Sequence, residues 1–322
     1  MSKHQILLLA LSLAAGATTS AHADNWPTRP LTVVVSFAPG SITDVVPRIV
    51  FEQLSPRIGQ PITVENRTGA GGTIAAQRVA KSQPDGYTLL VNTSAHTIAP
   101  ALYASLGYHP ARDFAPVIVL GSTPNVLVVP VSRNLRSVGE FVAAVKSQPG
   151  KLTYGSAGIG TATHLSAERF LASTATQALH VPFKGGPEIV TELLEGRIDF
   201  FFGPLGIVKP HIQSGKLNAL AVNTTKRSPL LPGVPTLSEA GVANAEYPFW
   251  IGMLAPAGTP RDIVDRLHRE TLVTLQAPAV QEKLAALGVE PMPMTPAEFE
   301  ALIQNEIAVN MTMAEAAGIK AQ

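Results

Sequence analysis

What most limits the folds open to this chain is a cadence. Short β-branched runs end in a glycine-containing loop and lead straight into a stretch with helical spacing. Leu31-Thr32-Val33-Val34-Val35 reads as a buried strand. From Asp44 to Ile58, Val45, Ile49 and Leu54 recur among polar residues at helical spacing. Residues 61–65 (PITVE) read as a second strand, 73–82 as a helix and 87–91 (YTLLV) as a third strand. Strand, helix, strand, helix, strand predicts a wound parallel sheet with crossover helices. The pattern then restarts. Strands are expected at 117–120, 126–129, 151–154, 180–183, 198–202 and 217–222, with helices at 138–148, 163–173 and 189–195. A short strand (251–254) and three helices (262–275, 279–287, 296–317) close the chain. The expected fold class is α/β, with two similar lobes and a ligand cleft between them. Residues 24–124 plus 245–322 form the first lobe and 125–244 the second, and the closing helices pack back on the first.

The first residues speak to compartment. Lys3 and His4 precede an apolar run from Ile6 to Ala17, and a small-residue stretch ends Ala21-His22-Ala23. That is the layout of a cleavable export signal, residues 1–23, with the cut after Ala23. The apolar run is shorter than the roughly 20 residues a membrane-spanning helix needs. The chain has 24 Lys+Arg and 23 Asp+Glu, and losing Lys3 with the leader brings the two to parity. That balance excludes the basic excess needed for nucleic acid or an anionic membrane surface. Cysteine is absent. Disulfides, thiolate chemistry, cysteine-ligated zinc and a cysteine-borne lipid anchor are therefore excluded.

Two strand–loop–helix junctions, one per lobe, carry the chemistry. The first is Ser36-Phe37-Ala38-Pro39-Gly40-Ser41-Ile42-Thr43-Asp44. Pro47 cannot donate to the carbonyl four residues back, which places the expected helix N-cap at Asp44. Loss of such a cap to Ala would weaken the helix by about 1 kcal/mol. The second junction is Gly155-Ser156-Ala157-Gly158-Ile159-Gly160-Thr161, leading into a helix that carries His164. A helix start with unpaired amides attracts an anion through hydrogen bonds and through the helix dipole. Either loop alone reads as an ordinary turn between strand and helix. Together, at the carboxyl ends of strands in two lobes, they can close on one anion. Asn92, Thr93, Ser94 and His96 read either as supporting polar groups or as a solvated turn. Lys184, in the run Phe183-Lys184-Gly185-Gly186, reads as a surface charge. The glycine-rich segment 65–73 reads as a tight turn in which Glu65 or Asn66 bonds to backbone. It has no lysine where a phosphate cradle needs one.

At these residues the chain resembles the Bug/TctC family, the extracytoplasmic solute receptors of tripartite tricarboxylate transporters. The matching stretches are WPTRP (26–30), VVSFAPGSITD (34–44), VENRTGAGGTIAA (64–76), PDGYTLL (84–90), DFAPV (113–117), YGSAGIGTATHL (154–165), HVPFKGG (180–186), LNALAV (217–222), LPGVPTLSEAG (232–241) and APAGTP (255–260). The resemblance implies a two-lobed clamshell of the type II periplasmic-binding kind, working in the periplasm with membrane permease subunits as partners. It implies that the two junction loops hold a ligand carboxylate through backbone amides, hydroxyls and ordered water. Ser41 stands where the family usually has a second glycine, Phe183 where it has tyrosine, and Asn310 where it has tryptophan.

The residues expected at the ligand are Phe37, Ala38, Gly40, Ser41, Ile42, Thr43, Asp44, Thr93, Ser94, Gly155, Ser156, Ala157, Gly158, Gly160, Thr161, His164 and Phe183. The ligand is a small di- or tricarboxylate, aromatic carboxylate or amino acid. No cofactor, metal or catalytic residue is expected, and the protein is expected to be a monomer. Two other readings share the motifs: a ligand-sensing subunit for a membrane signalling protein, and a secreted hydrolase. The hydrolase would need a nucleophile elbow, but Ser156 directly follows Gly155, so G-x-S-x-G is missing. A Ser156–His164 dyad would have to reach across a helix start. No histidine pair has the spacing of a zinc protease.

Overall fold

The computed structural model describes residues 26–316 except Lys184 and Pro248. The expected export signal and the Lys184 assignment lie outside these residues. The described residues contain ten strands and ten α-helices. The strands are β1 (Leu31–Val35), β2 (Ile62–Asn66), β3 (Thr88–Thr93), β4 (Phe114–Thr123), β5 (Asn125–Pro130), β6 (Thr153–Ser156), β7 (Leu179–Pro182), β8 (Phe200–Pro204), β9 (Leu217–Val222) and β10 (Phe249–Pro256). The helices are α1 (Ile42–Ile58), α2 (Thr73–Ala80), α3 (Ala95–Leu102), α4 (Val138–Ser147), α5 (Ala162–Thr174), α6 (Gly186–Leu194), α7 (Leu205–Gln213), α8 (Arg261–Leu275), α9 (Pro278–Ala286) and α10 (Pro296–Ala316). None of the described helices is long and apolar enough to cross a membrane.

The strands form two five-stranded sheets, ordered β2-β1-β3-β10-β4 and β7-β6-β8-β5-β9. In the first, β1 pairs in parallel with β2 and β3. In the second, β6 pairs in parallel with β7 and β8. The wholly parallel sheet expected from the sequence is not what forms, because β10 and β5 run antiparallel to both of their neighbours. Each of these is the strand that arrives from the other sheet. Only Pro124 separates β4 from β5. A strand that starts where the parallel strands end has to run back against them, so antiparallel pairing follows from entry without a crossover helix.

Each sheet is covered on both faces. One face of the first packs Val33, Val35 and Val91 against Val50 and Leu54 of α1 and Leu267 of α8. The other packs Val34, Leu90 and Trp250 against α2 and against Phe299 and Ile303 of α10. The closing helices thus return to the first sheet. The second sheet places Tyr154, Phe200 and Phe202 against Phe141 and Phe170 on one side, and Phe201 against Ile189 and Val208 on the other. Helices α3 and α7 are not among the elements expected from sequence. Each is short and contains a proline, Pro100 and Pro210, which hides its helical spacing. The stretch Asn92–His96 is not a solvated turn either, since all five residues are buried.

Asn310 has a structural account. It is buried and donates from Nδ2 to Thr97 Oγ1 at 3.1 Å. Thr97 Oγ1 also bonds Glu306 Oε2 at 2.8 Å, and Trp250 Nε1 donates to the same carboxyl at 3.0 and 3.1 Å. This network ties α10 to α3 and β10. Burial pushes the Glu306 carboxyl up to about 7, against the opposing pull of the bonds from Trp250 and Thr97. Between about pH 4.5 and 7 the folded chain holds a proton that the unfolded chain releases. The stability this group contributes is therefore present below its unfolded value and falls as pH rises through its folded value. Urea denaturation of Glu306→Gln should show a flatter decline over that window. Glu306→Ala should lose about 2 kcal/mol near pH 4.5, by orphaning Trp250 Nε1 and Thr97, and less near pH 7, where the wild type has already lost this group's contribution.

Candidate functional site

Five strands, β1 and β3 of the first sheet and β6, β7 and β8 of the second, run toward one cavity of about 580 Å³ between the sheets. The helices that follow them start at its wall. This is the end of an α/β sheet where ligands characteristically bind. Among the described residues the lining has no Lys, Arg, His, Asp or Glu. A separate apolar cavity of about 290 Å³ lies behind the first sheet, between α8, α9 and β4, and no helix starts at its wall.

The first junction is shaped by a carboxylate that is not itself part of the cavity wall. Helix α1 begins at Ile42 rather than after Asp44, and Ser41 is its N-cap with φ −70° and ψ 160°. Pro47 removes a single ladder bond deeper in the helix. Upstream, the amides of Asp44 and Val45 both donate to the Ser41 carbonyl at 2.9 Å. Asp44 is therefore not the cap. Its Oδ2 accepts from Gly40 N at 2.9 Å, and its Oδ1 accepts from Arg48 Nε at 2.9 Å and Asn66 Nδ2 at 2.8 Å. Asn66 Nδ2 also donates to the Phe37 carbonyl at 2.9 Å, which is the side chain-to-backbone bond expected of the segment 65–73. Burial pushes the Asp44 carboxyl up, but the bonds from Arg48, Gly40 and Asn66 together outweigh it and hold it below its ordinary value. Ser41 replaces a family glycine without strain because its φ is negative, and its Oγ closes the turn onto the Ala38 carbonyl at 2.7 Å. At the helix start the amides of Ile42 and Thr43 have no protein partner among the described residues.

The second junction repeats this arrangement. Thr161 caps α5 with φ −74° and ψ 159°, and Leu165 N closes the first turn onto the Thr161 carbonyl at 2.9 Å. The amides of Ala162 and Thr163 have no protein partner among the described residues. Thr163 Oγ1 accepts from Ala157 N at 3.0 Å and lies 3.0 Å from Thr161 Oγ1, so three loop residues are held together at the cavity wall.

Of the residues expected from sequence, Phe37, Gly40, Ser41, Ile42, Thr43, Thr93, Ala157 and Thr161 line the cavity. Ala38, Asp44, Ser94, Gly155, Ser156, Gly158, Gly160, His164 and Phe183 do not. Their positions have other physical causes. Gly160 lies so close to the first lobe that a Cβ would come within 2.2 Å of Leu102 Cδ1, so its small size serves packing across the cleft. Gly155 is enclosed by Ile189, Ile198 and Phe183. His164 Nδ1 accepts from Gly160 N at 3.2 Å. Ser156 does not pair with His164. Its Oγ lies 2.6 Å from His180 Nε2, and the residue has no exposed surface from which to attack a substrate. Burial holds His164 and His180 down to about 4, and the charge of His164 adds to this for His180. Both are neutral near pH 7 and add no positive charge beneath the loop.

Sequence reading missed several lining residues. Thr123 and Asn125 flank Pro124 at the crossing between sheets. Gly185 and Gly186 begin α6, and Gly206 and Ile207 sit in the first turn of α7. Phe249 and Leu287 come from distant segments. The Gly185-Gly186-Pro187 step before an apolar helical stretch was a usable signal for α6. The others carry no local mark.

Residues 46–319 match the family described as "Tripartite tricarboxylate transporter family receptor". Protein BugT of Bordetella pertussis is 36% identical over 295 residues, covering 91% of this chain and 90% of BugT. A solved R. palustris structure with adipate is 37% identical with a TM-score of 0.80, covering 92% of this chain and 100% of that one. MatC from Rhodopseudomonas palustris, with bound malate, is 34% identical with a TM-score of 0.77, covering 90% of this chain and 100% of its own.

Asp44→Ala would release Gly40, Arg48 and Asn66 together. It should lower unfolding stability by about 2–3 kcal/mol, well above the loss of an exposed cap. Chemical denaturation of this variant beside Ser41→Ala, whose hydroxyl is partly exposed, separates the two roles.

Proposed function

The chain belongs to the tripartite tricarboxylate transporter receptor family, and on that premise we propose that it captures a small carboxylate in the cleft and passes it to membrane permease subunits. The observation that carries this reading is the pair of helix starts across one cavity. Ile42 and Thr43 on one side, and Ala162 and Thr163 on the other, offer amides with no protein partner among the described residues. Such amides bind an anion with positive potential supplied by the backbone alone. Closing the two lobes, residues 24–124 with 245–322 and residues 125–244, would bring both sets onto one carboxylate and withdraw it from water. The receptor is exported by a signal cut after Ala23, acts as a monomer in the periplasm and performs no chemistry on its ligand. The full burial of Ser156 supports that last point.

A cognate carboxylate at about 100 times Kd should stabilise the protein by about 2.7 kcal/mol and be recovered unchanged. A thermal-shift screen of a carboxylate library with product analysis checks both, and turnover of the ligand would count against a receptor. The amides are tested by Ala162→Pro. Proline is well tolerated at the first helical position, and Thr161 already has the extended conformation that proline requires before it. The variant should keep its melting temperature and lose roughly tenfold to hundredfold in affinity, as for a lost bond to a charge worth about 1.5–3 kcal/mol. Ala162→Val keeps the N–H and serves as the control for bulk. Calorimetry showing Ala162→Pro equal to wild type would remove the amide from the site.

A further inference from the structure

We infer that Asn223 is a positioning residue for ligand capture: its side chain ties both crossings between the sheets to helix α5, and so sets where the amides at the start of α5 stand relative to the first sheet. The inference rests on the carboxylate reading above and adds how the two walls of the cleft are kept in register. The outward crossing is abrupt. Thr123 lies opposite Phe249 in the first sheet, and Asn125, two residues on, lies opposite Pro204 in the second. The peptide group joining Pro124 to Asn125 already belongs to the second sheet's side. Its carbonyl accepts from Leu205 N at 2.9 Å, and its N–H donates to Asn223 Oδ1 at 2.9 Å. On the return, Tyr247 is tied to Asn223, which follows the last strand of the second sheet, and Phe249 is back in the first sheet opposite Thr123.

Asn223 has no exposed surface, and its side chain bonds three separate segments. Oδ1 accepts from Asn125 N, while Nδ2 donates to the Tyr247 carbonyl at 2.8 Å and to Ser166 Oγ at 2.9 Å. A backbone N–H can only donate and a carbonyl can only accept, so the side-chain amide has one orientation. The backbone of Asn223 doubles two of these ties. Its N–H donates to the Asn125 carbonyl at 3.0 Å, and its carbonyl accepts from Tyr247 N at 3.1 Å. Ser166 lies one turn past Ala162 in α5 and also accepts from Asn125 Nδ2 at 3.1 Å. Asn125, Tyr247 and the first turns of α5 are thereby joined in one body. Rotation of one sheet against the other is left to the torsions between that body and the Thr123–Phe249 pair, and Pro124 holds one of those torsions fixed. Asn223 does not line the cavity, so it acts on a ligand through where it holds α5. A receptor whose binding-competent arrangement is less populated binds every ligand more weakly by the same factor.

The test uses the full mature chain with nitroxide labels at Lys81→Cys and Lys146→Cys, one exposed position beside each sheet. The natural chain has no cysteine, so no other residue takes the label. Asn223→Ala should broaden the label-to-label distance distribution measured without ligand by pulsed electron resonance. In calorimetry on the unlabelled chain it should weaken adipate, malate and benzoate by one common factor of about tenfold. Ser166→Ala keeps both crossing bonds and should give the same two changes in smaller measure, and it carries the test if Asn223→Ala does not fold. Val145→Ala, in the core of the second sheet, is the control for lost stability and should match wild type in both readings. An unchanged distance distribution, or losses that differ from one carboxylate to the next, would overturn the inference and leave the carboxylate reading standing. If none of the three binds the wild type, it is the carboxylate reading that loses support, and the ligand-free distances alone decide the role of Asn223.

Discussion

The structure depends on an exchange of strands. Each five-stranded sheet is completed by a strand that enters from the other, β5 after the single residue Pro124 and β10 on the return. Backbone hydrogen bonding leaves little choice in this, since a sheet lacking its fourth strand would expose unpaired ladder groups in the interior. Because the entering strands begin at the cleft, they run antiparallel, and the parallel strands of both sheets end facing one another. The helix starts that follow those strands are then gathered around one cavity. Gly160 packing directly onto Leu102, and Gly206 lying against Leu287, hold the two walls in contact at separate places. The small size of these two glycines is therefore a condition of the cleft's shape.

Within that frame the binding chemistry is backbone chemistry. Charged groups stand behind the loops and set their form. Asp44 is not part of the cavity wall and fixes Gly40, Arg48 and Asn66 in one network, and Asn66 carries the hold on to Phe37. On the other side Ser156, His164 and His180 form a buried, neutral support beneath the glycine loop. Placing the ionisable groups one layer back leaves the cavity wall without fixed charge among the described residues. This arrangement also accounts for Ser41 in place of a glycine, since its hydroxyl closes the turn and its backbone needs no positive φ.

Much of the fold was legible along the chain. Strands β1 to β3 and helices α1 and α2 follow from β-branched runs and helical spacing, and so do the three closing helices. The export signal reading concerns residues outside those the structure describes. Two helices escaped notice because Pro100 and Pro210 interrupt their spacing, and a solvated turn stayed open for the polar run Asn92–His96 because Ser36 and Trp250, which bond it, lie far away in sequence. The position of the first helix start was misjudged for a definite reason. Pro47 deletes one ladder bond but does not prevent the turn before it, which Ser41 and Asp44 secure.

By itself the sequence determined most of the elements, their βα order, the family and the two loops at the cleft, because these depend on local spacing and on glycine, proline and hydroxyl residues at fixed offsets. Only the tertiary structure decided which side chains the cleft presents. Asp44 and His164 turn into loop support, Ser156 pairs with His180, and Phe249, Asn125 and Leu287 arrive from remote segments. Those outcomes depend on strand pairing and on close approach between the lobes. Both join residues far apart in sequence, and neither leaves a local mark in it.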